Sequence, residues 1–263
     1  MKTIDTASIV EGIVTEQEHH FHEGSFVFKR GKYYYYTFAD ISRQNRPTCI
    51  GYAMSESVFG PYIYKGVIID NDGCDPNVWN NHGSVVEYKG QWYVLYHRAT
   101  HNCPSMRKAC IEPVAFNDDG TINEVEMTSQ GASGALSAFS PIDAAAVCLL
   151  RGSVFVCAME DQPQREILTQ MHSGDKAAWK YIDFGEGANL LTIRLRTHGK
   201  GRVNVQLDQT WHACIGTAQV DTSGEWTTVT CNVEKVTGLH ALWIAFQSDE
   251  SNAWMEMDWL RFE

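Results

Sequence analysis

Long apolar runs are missing from this sequence. None approaches the ~18 residues that a membrane helix needs, so no membrane partner is expected. Positive charge is also short, with 21 Lys+Arg against 32 Asp+Glu and a net charge of −11. That sign excludes the basic footprint of a nucleic-acid binder and suits a neutral partner. Eight cysteines in 263 residues are too few and too scattered for a disulfide framework. No CxxC pair offers a zinc site. The N-terminal MKTIDTASIVEG carries acids where an export signal would be apolar, which makes a cytoplasmic location the expectation. Walker, GxSxG, HExxH and Rossmann patterns are absent, so no organic cofactor is expected. Convincing amphipathic helices are lacking too. Only Glu160 to Met171 has some helical character, and Pro163 weakens it.

What is present reads as all-β. Hydrophobic residues make up 44% of the chain, enough for a real core. Short runs rich in Tyr, Val, Phe and Trp alternate with Gly, Asn and Asp, as in FVFKRGKYYYYTF, SVVEYKGQWYVLYH and LLTIRLRTHGKGRVNVQLD. Glycine breaks at Gly31, Gly90, Gly199 and Gly201 punctuate these runs as hairpin turns do. The stretch Tyr33–Tyr36 should alternate across a strand, with about half of it packed in the core.

An internal repeat is the most informative local feature. EGSFVFKRGKYYYYTF starts at Glu23 and HGSVVEYKGQWYVLYH starts at His82, 59 residues later, without a gap. Gly24 matches Gly83, Ser25 matches Ser84, Gly31 matches Gly90 and Tyr34 matches Tyr93. A repeat of this size built from short strands suits a propeller blade. Glu23 and His82 then open equivalent strands, and in a propeller such openings converge on the central axis. After Met127 the texture turns small, polar and glycine-rich, as a linker does. The strands from Pro141 to Glu263 match no blade repeat and suit a separate β-sandwich. Domain limits of 1–135 and 136–263 follow.

With the common motifs absent, carboxylates are left to carry chemistry. Glu23 sits in HHFHEGS beside His19, His20 and His22, with small residues after it that let a substrate approach. The plain reading is a solvated charge at a strand start. Placement on an axis instead favours a general acid whose pKa is raised by burial. His82 in WNNHGS has three readings, a metal ligand, a sugar contact or simply a hydrogen-bonded histidine, and the last is the default.

The segments HFHEGSFVFKRGKYYYYTFAD, CIGYAMSESVFGPYIYKGVIID, NNHGSVVEYKGQWYVLYHR, MRKACIEPVAFNDDGTI and VEMTSQG, in this order, resemble the C-terminal part of a glycoside hydrolase family 43 domain. That family is a five-bladed propeller, so the resemblance implies a partial β-propeller here. It implies hydrolysis of O-glycosyl bonds in arabinose- and xylose-containing polysaccharides, with inversion, of arabinofuranosidase or xylosidase type. Glu23 falls on the general acid. His82 falls on an axial histidine near the subsite that helps hold a central calcium ion or its waters. Arg107, six residues before Pro113, falls on an arginine lining the sugar pocket. The family also uses an Asp base and a second Asp, both N-terminal to the acid. Only Asp5 stands before Glu23 in this sequence. The expectation is a homo-oligomer or a complex with an N-terminal propeller half that supplies the base. Asp75, in GCDPNVWNNHGS, is the substitute base to consider on this chain.

The segments AAWKYIDFGEGANLLTIRL, TSGEWTTVTCNV, VTGLHALWIAF and MEMDWLRFE resemble a family 6 carbohydrate-binding module, a jelly-roll sandwich. The resemblance implies binding of plant cell-wall oligosaccharide or polysaccharide. Trp226 falls on one aromatic of its sugar cleft. Glu256 stands where that cleft has Asn. For calcium, only Asp143 lies in IDAAA, with Asp258 as a further oxygen. Trp179, Trp243 and Trp259 are expected in the core. The alternative to a hydrolase is a non-catalytic carbohydrate-binding fragment.

Overall fold

The computed structural model describes residue 3 and residues 5–263. Among them, no helix is long and apolar enough to cross a membrane. The chain enters its first sheet through a four-residue helix, α1 (Glu16–His19). Thr15 caps it by accepting from Glu18 N at 3.3 Å. His20 ends it in the left-handed conformation, with φ 59°.

Strands β1 (Phe21–Arg30), β2 (Tyr33–Asp40), β3 (Cys49–Ser55) and β4 (Ile63–Asp70) form an antiparallel sheet in that order. Strands β5 (Ser84–Tyr88), β6 (Gln91–Thr100) and β7 (Cys103–Val114) form a second, three-stranded sheet. Both copies of the sequence repeat are thus hairpins, but their turns differ. Arg30 pairs with Tyr33, and Gly31 (φ 57°) takes the first turn position. Tyr88 pairs with Gln91, where Lys89 (φ 52°) and Gly90 (φ 83°) are both left-handed. The burial rhythm survives the shift, since Tyr35 and its counterpart Val94 are both fully buried.

Aromatic side chains fill the first unit. Phe28 stacks on Tyr35 at 4.6 Å, and Trp92 and Phe116 close the group. Tyr35 donates to Gly120 O at 2.7 Å, so the phenol is buried with its hydroxyl satisfied. Tyr34 and Tyr36 pack on the other face, against Phe38, Ala53, Tyr62, Ile13 and Val14. The tyrosine run alternates as a strand demands.

The second unit begins with β8 (Leu136–Ser137), β9 (Ile142–Asp143), β10 (Leu149–Arg151), β11 (Phe155–Met159) and β12 (Gln162–His172). It continues with β13 (Lys176–Asp183), β14 (Ala188–His198), β15 (Gly201–Leu207), β16 (Cys214–Val220), β17 (Thr227–Val236), β18 (Leu239–Gln247) and β19 (Trp254–Phe262). One sheet has the order β10-β13-β18-β15-β16 and the other β11-β12-β19-β14-β17. Trp179, Phe184, Phe246, Phe262, Leu191 and Met257 pack between them. This is the expected sandwich.

Several details depart from the sequence reading. The stretch Glu160 to Met171, with its helical character, is the turn and arm of the β11–β12 hairpin. Its middle residues Ile167, Leu168 and Thr169 are all buried, which hides the two-residue rhythm. Trp243 is buried, yet beneath Arg151 and outside the inter-sheet core, and Trp259 is only half-buried. Segments 72–78 and 98–108 group with the sandwich rather than with the flanking strands. Leu150 N donates to Gly73 O, and Lys108 Nζ donates to Ala145 O at 2.9 Å and Glu166 at 3.1 Å. All eight cysteines are free.

Candidate functional site

In the first unit the strand openings lie against one another. Gly24 has φ 68°, and a Cβ there would stand 2.6 Å from His82 Cβ. Backbone next to Glu23 can approach His82 only because residue 24 is glycine. His82 is exposed and meets the His97 ring edge-on at 4.9 Å. Register shifts between Phe21 and Glu23 and between Glu23 and Phe26 bend the strand here.

Glu23 is exposed, which corrects the expectation of a buried acid. It lies on β1, the edge strand of its sheet. No hydrogen bond or ion pair ties its carboxylate among the described residues. The neighbouring histidines have other duties. Buried His19 accepts from Thr15 N at 3.1 Å and bonds Tyr62 O at 3.1 Å, anchoring α1. His20 packs on Tyr64.

Two Asp carboxylates are spent on structure. Asp75 is buried and accepts from the backbone N–H groups of Asn77, Val78 and Asn102 at 3.1, 3.1 and 2.9 Å. That arrangement shapes a loop and leaves poor access for a substrate water. Fully buried Asp40 accepts from Tyr64 Oη at 2.8 Å and Ser42 N at 2.6 Å. Burial, ahead of the Asp40 contact, pushes the Tyr64 phenol up.

Arg107 is exposed in the second unit, where its Nη1 donates to Pro104 O and Met106 O. For calcium, the residues do not fit. No group of three or more His, Cys, Asp or Glu side chains gathers among the described residues. His82 alone offers one nitrogen to an ion that prefers 6–8 oxygens. Asp258, 1% exposed, is held by Arg165 and by Arg194 at 3.2 Å, so cations of the chain already occupy it.

The sandwich gathers a second cluster on the outer face of the β11-β12-β19-β14-β17 sheet. Glu256, 5% exposed, accepts from Thr169 Oγ1 at 2.9 Å and pairs with Arg196. Trp226 is half-buried, with the guanidinium groups of Arg196 and Arg194 over its ring at 5.1 and 5.6 Å. The Glu256 hydrogen bond raises the Arg196 pKa above its ordinary value. Further along the same strands, His198 stacks on Trp254 at 3.9 Å. The structure thus brings Trp226 and Glu256 together through Arg196, which the sequence reading missed. Its signal was the alternation of Arg194 and Arg196 in LLTIRLRTH, which puts both on one strand face. The cluster offers an aromatic surface beside guanidinium donors, chemistry suited to a hydroxylated ring.

Comparison with known proteins adds lineage to this geometry. Residues 1–122 match the family model for glycosyl hydrolases family 43, and residues 156–263 match that for carbohydrate binding module (family 6). An arabinoxylan arabinofuranohydrolase of Paenibacillus polymyxa is 27% identical over 98% of this chain and 44% of its own length. A xylosidase/arabinosidase of Thermoclostridium stercorarium is 25% identical over 89% of this chain and 54% of its own. The crystal structure of a family 43 arabinoxylan arabinofuranohydrolase from Bacillus subtilis, in complex with cellotetraose, superposes with TM-score 0.53 at 25% identity. It covers 92% of this chain and 54% of that one. The chain therefore spans about half the length of the relatives it matches. It carries a glycosyl hydrolase family 43 segment followed by a family 6 carbohydrate binding module.

Proposed function

We propose that this chain belongs to an inverting glycoside hydrolase acting on arabinose- and xylose-containing plant polysaccharides or oligosaccharides, of arabinofuranosidase or xylosidase type. Glu23 protonates the departing glycosidic oxygen. A second carboxylate takes a proton from water on the opposite face of the sugar, about 6.5–9.5 Å away. Another polypeptide or a second copy supplies that base, a reading supported by Asp40 and Asp75 being tied to backbone and tyrosine. His82 borders the sugar at the strand opening. The sandwich holds the polysaccharide at Trp226, beside Glu256.

The observation that carries this reading is the untied Glu23 carboxylate on a strand opening that abuts His82. The test is hydrolysis of nitrophenyl arabinofuranoside, nitrophenyl xyloside and arabinoxylan oligosaccharides, with molar mass measured alongside. Glu23→Gln is expected to lower turnover at least about 10²-fold on the natural oligosaccharides and much less on the activated aryl glycosides. Equal loss on both classes would remove Glu23 from the acid role.

A second reading, a non-catalytic carbohydrate-binding chain, draws on the same exposure of Glu23. An exposed carboxylate leaves a departing glycosidic oxygen open to bulk water. No turnover of any glycoside by the chain alone or with an added propeller half that carries the base, with xylan binding retained, would select that reading.

A further inference from the structure

Among the described residues, Trp211 is the most exposed of the large hydrophobic side chains, at 75%. It stands in the loop between β15 and β16, away from the β14, β17 and β19 strands that frame Trp226. Large aromatic surface left in water is unfavourable, and the fold gains nothing from Trp211 by burial.

The loop holding it is nonetheless fixed at almost every residue. Asp208 takes a left-handed φ of 61°. Its carboxylate accepts from Ala241 N at 3.1 Å and contacts His240 Nδ1 at 3.0 Å, while its carbonyl accepts from Trp243 Nε1 at 3.2 Å. Gln206 Nε2 donates to both Thr210 O and His212 O, at 3.0 and 2.8 Å, bridging the carbonyls on either side of Trp211. Lys176 Nζ reaches Thr210 O at 3.5 Å, and His212 Nδ1 contacts Leu207 O at 3.1 Å. A side chain with no packing role is thus presented by backbone held from both sides. A ligand stacking there would meet little loss of loop entropy.

We propose that Trp211 is a second carbohydrate-contact site of this chain, a stacking platform for one ring of a neutral polysaccharide. The indole offers an apolar face to the C–H face of a sugar, and the His212 ring stands beside it at 6.3 Å. A chain of net charge −11 favours a neutral glycan over a polyanion. Two separated aromatic contacts on one module would tether a long polysaccharide by effective concentration, while a short oligosaccharide occupies one contact at a time. This site rests on the reading that the module binds polysaccharide at all.

The experiment is affinity electrophoresis of the full chain in gels containing soluble arabinoxylan, comparing wild type, Trp211→Ala, Trp211→Phe and Trp226→Ala. Melting temperatures serve as the fold control. Trp211→Ala is expected to weaken retardation about tenfold in apparent Kd, with the melting temperature unchanged and Trp211→Phe retaining most of the effect. Retarded wild type with Trp211→Ala retarded equally would overturn this site and leave the module's binding intact. Unretarded wild type would overturn both readings together. If Trp211→Ala instead lowers the molar mass by light scattering without changing retardation, the indole is a protein contact and the carbohydrate proposal fails.

Discussion

Glu256 illustrates what a buried carboxylate requires. The resemblance to the carbohydrate-binding module leads to the expectation of Asn at this position, so the sequence itself marks the residue. Arg196 pairs with it and Thr169 completes its hydrogen bonding. Removing one member leaves the other charge desolvated, which costs more than the pair contributes. Glu256→Ala is expected to destabilise the chain by about 2–3 kcal/mol, less than a fully buried pair because a quarter of Arg196 remains in solvent. Glu256→Gln keeps an acceptor for Thr169 and should cost about 1 kcal/mol. Urea denaturation of the two variants measures this. Equal small losses would mean that water satisfies Arg196 once its partner is gone. The exposure of Glu23 was not legible in the same way. Burial of an edge-strand residue depends on what covers that edge, and local sequence does not encode the cover.

The repeat at Glu23 and His82 was legible because turn glycines and strand aromatics recur at fixed offsets. Its matching glycines answer different demands. Gly24 is required by its left-handed φ and by the approach of His82, whereas a Cβ on Gly83 would lie 1.9 Å from Leu95 O. Gly24→Ala should therefore cost about 1–2 kcal/mol from the backbone conformation and push His82 aside. Gly83→Ala should cost more, since β5 must part from β6 to admit the methyl group. Denaturant midpoints of both variants test the order, and the reverse order would contradict it. Sequence reading finds some helical character in the stretch that forms β12, for a physical reason. A strand buried on both faces in its middle loses the alternation that distinguishes it from a helix.

The division of the chain was partly hidden. A boundary near residue 135 follows from composition, but the attachment of 72–78 and 98–108 to the sandwich does not. Bonds such as Lys108 to Ala145 O and Glu166 join residues far apart in sequence, which no local pattern announces. Surface exposure carries a further consequence. Val86 (44%), Tyr88 (61%) and Leu95 (39%) stand exposed on β5 and β6, with Val86 beside Tyr93 and Leu95 beside Ser84 across the hairpin. Adjacent apolar side chains on a short sheet are a surface that a partner gains by covering. A fully exposed aliphatic side chain contributes roughly 1.5–3 kcal/mol when buried, so these three part-exposed side chains offset some of the roughly 4–15 kcal/mol that association costs, and the rest falls to the surface around them. The purified chain is expected to exceed the monomer mass by light scattering, or to bind a propeller half that carries the proposed base. Leu95→Lys with Val86→Lys should then restore the monomer mass and, if the base arrives from the partner, abolish hydrolysis while leaving retention by arabinoxylan unchanged. A wild-type monomer that hydrolyses arabinoside or xyloside unaided would refute the association and return the base to this chain. Asp75 would then be the first residue to replace, despite its three backbone hydrogen bonds.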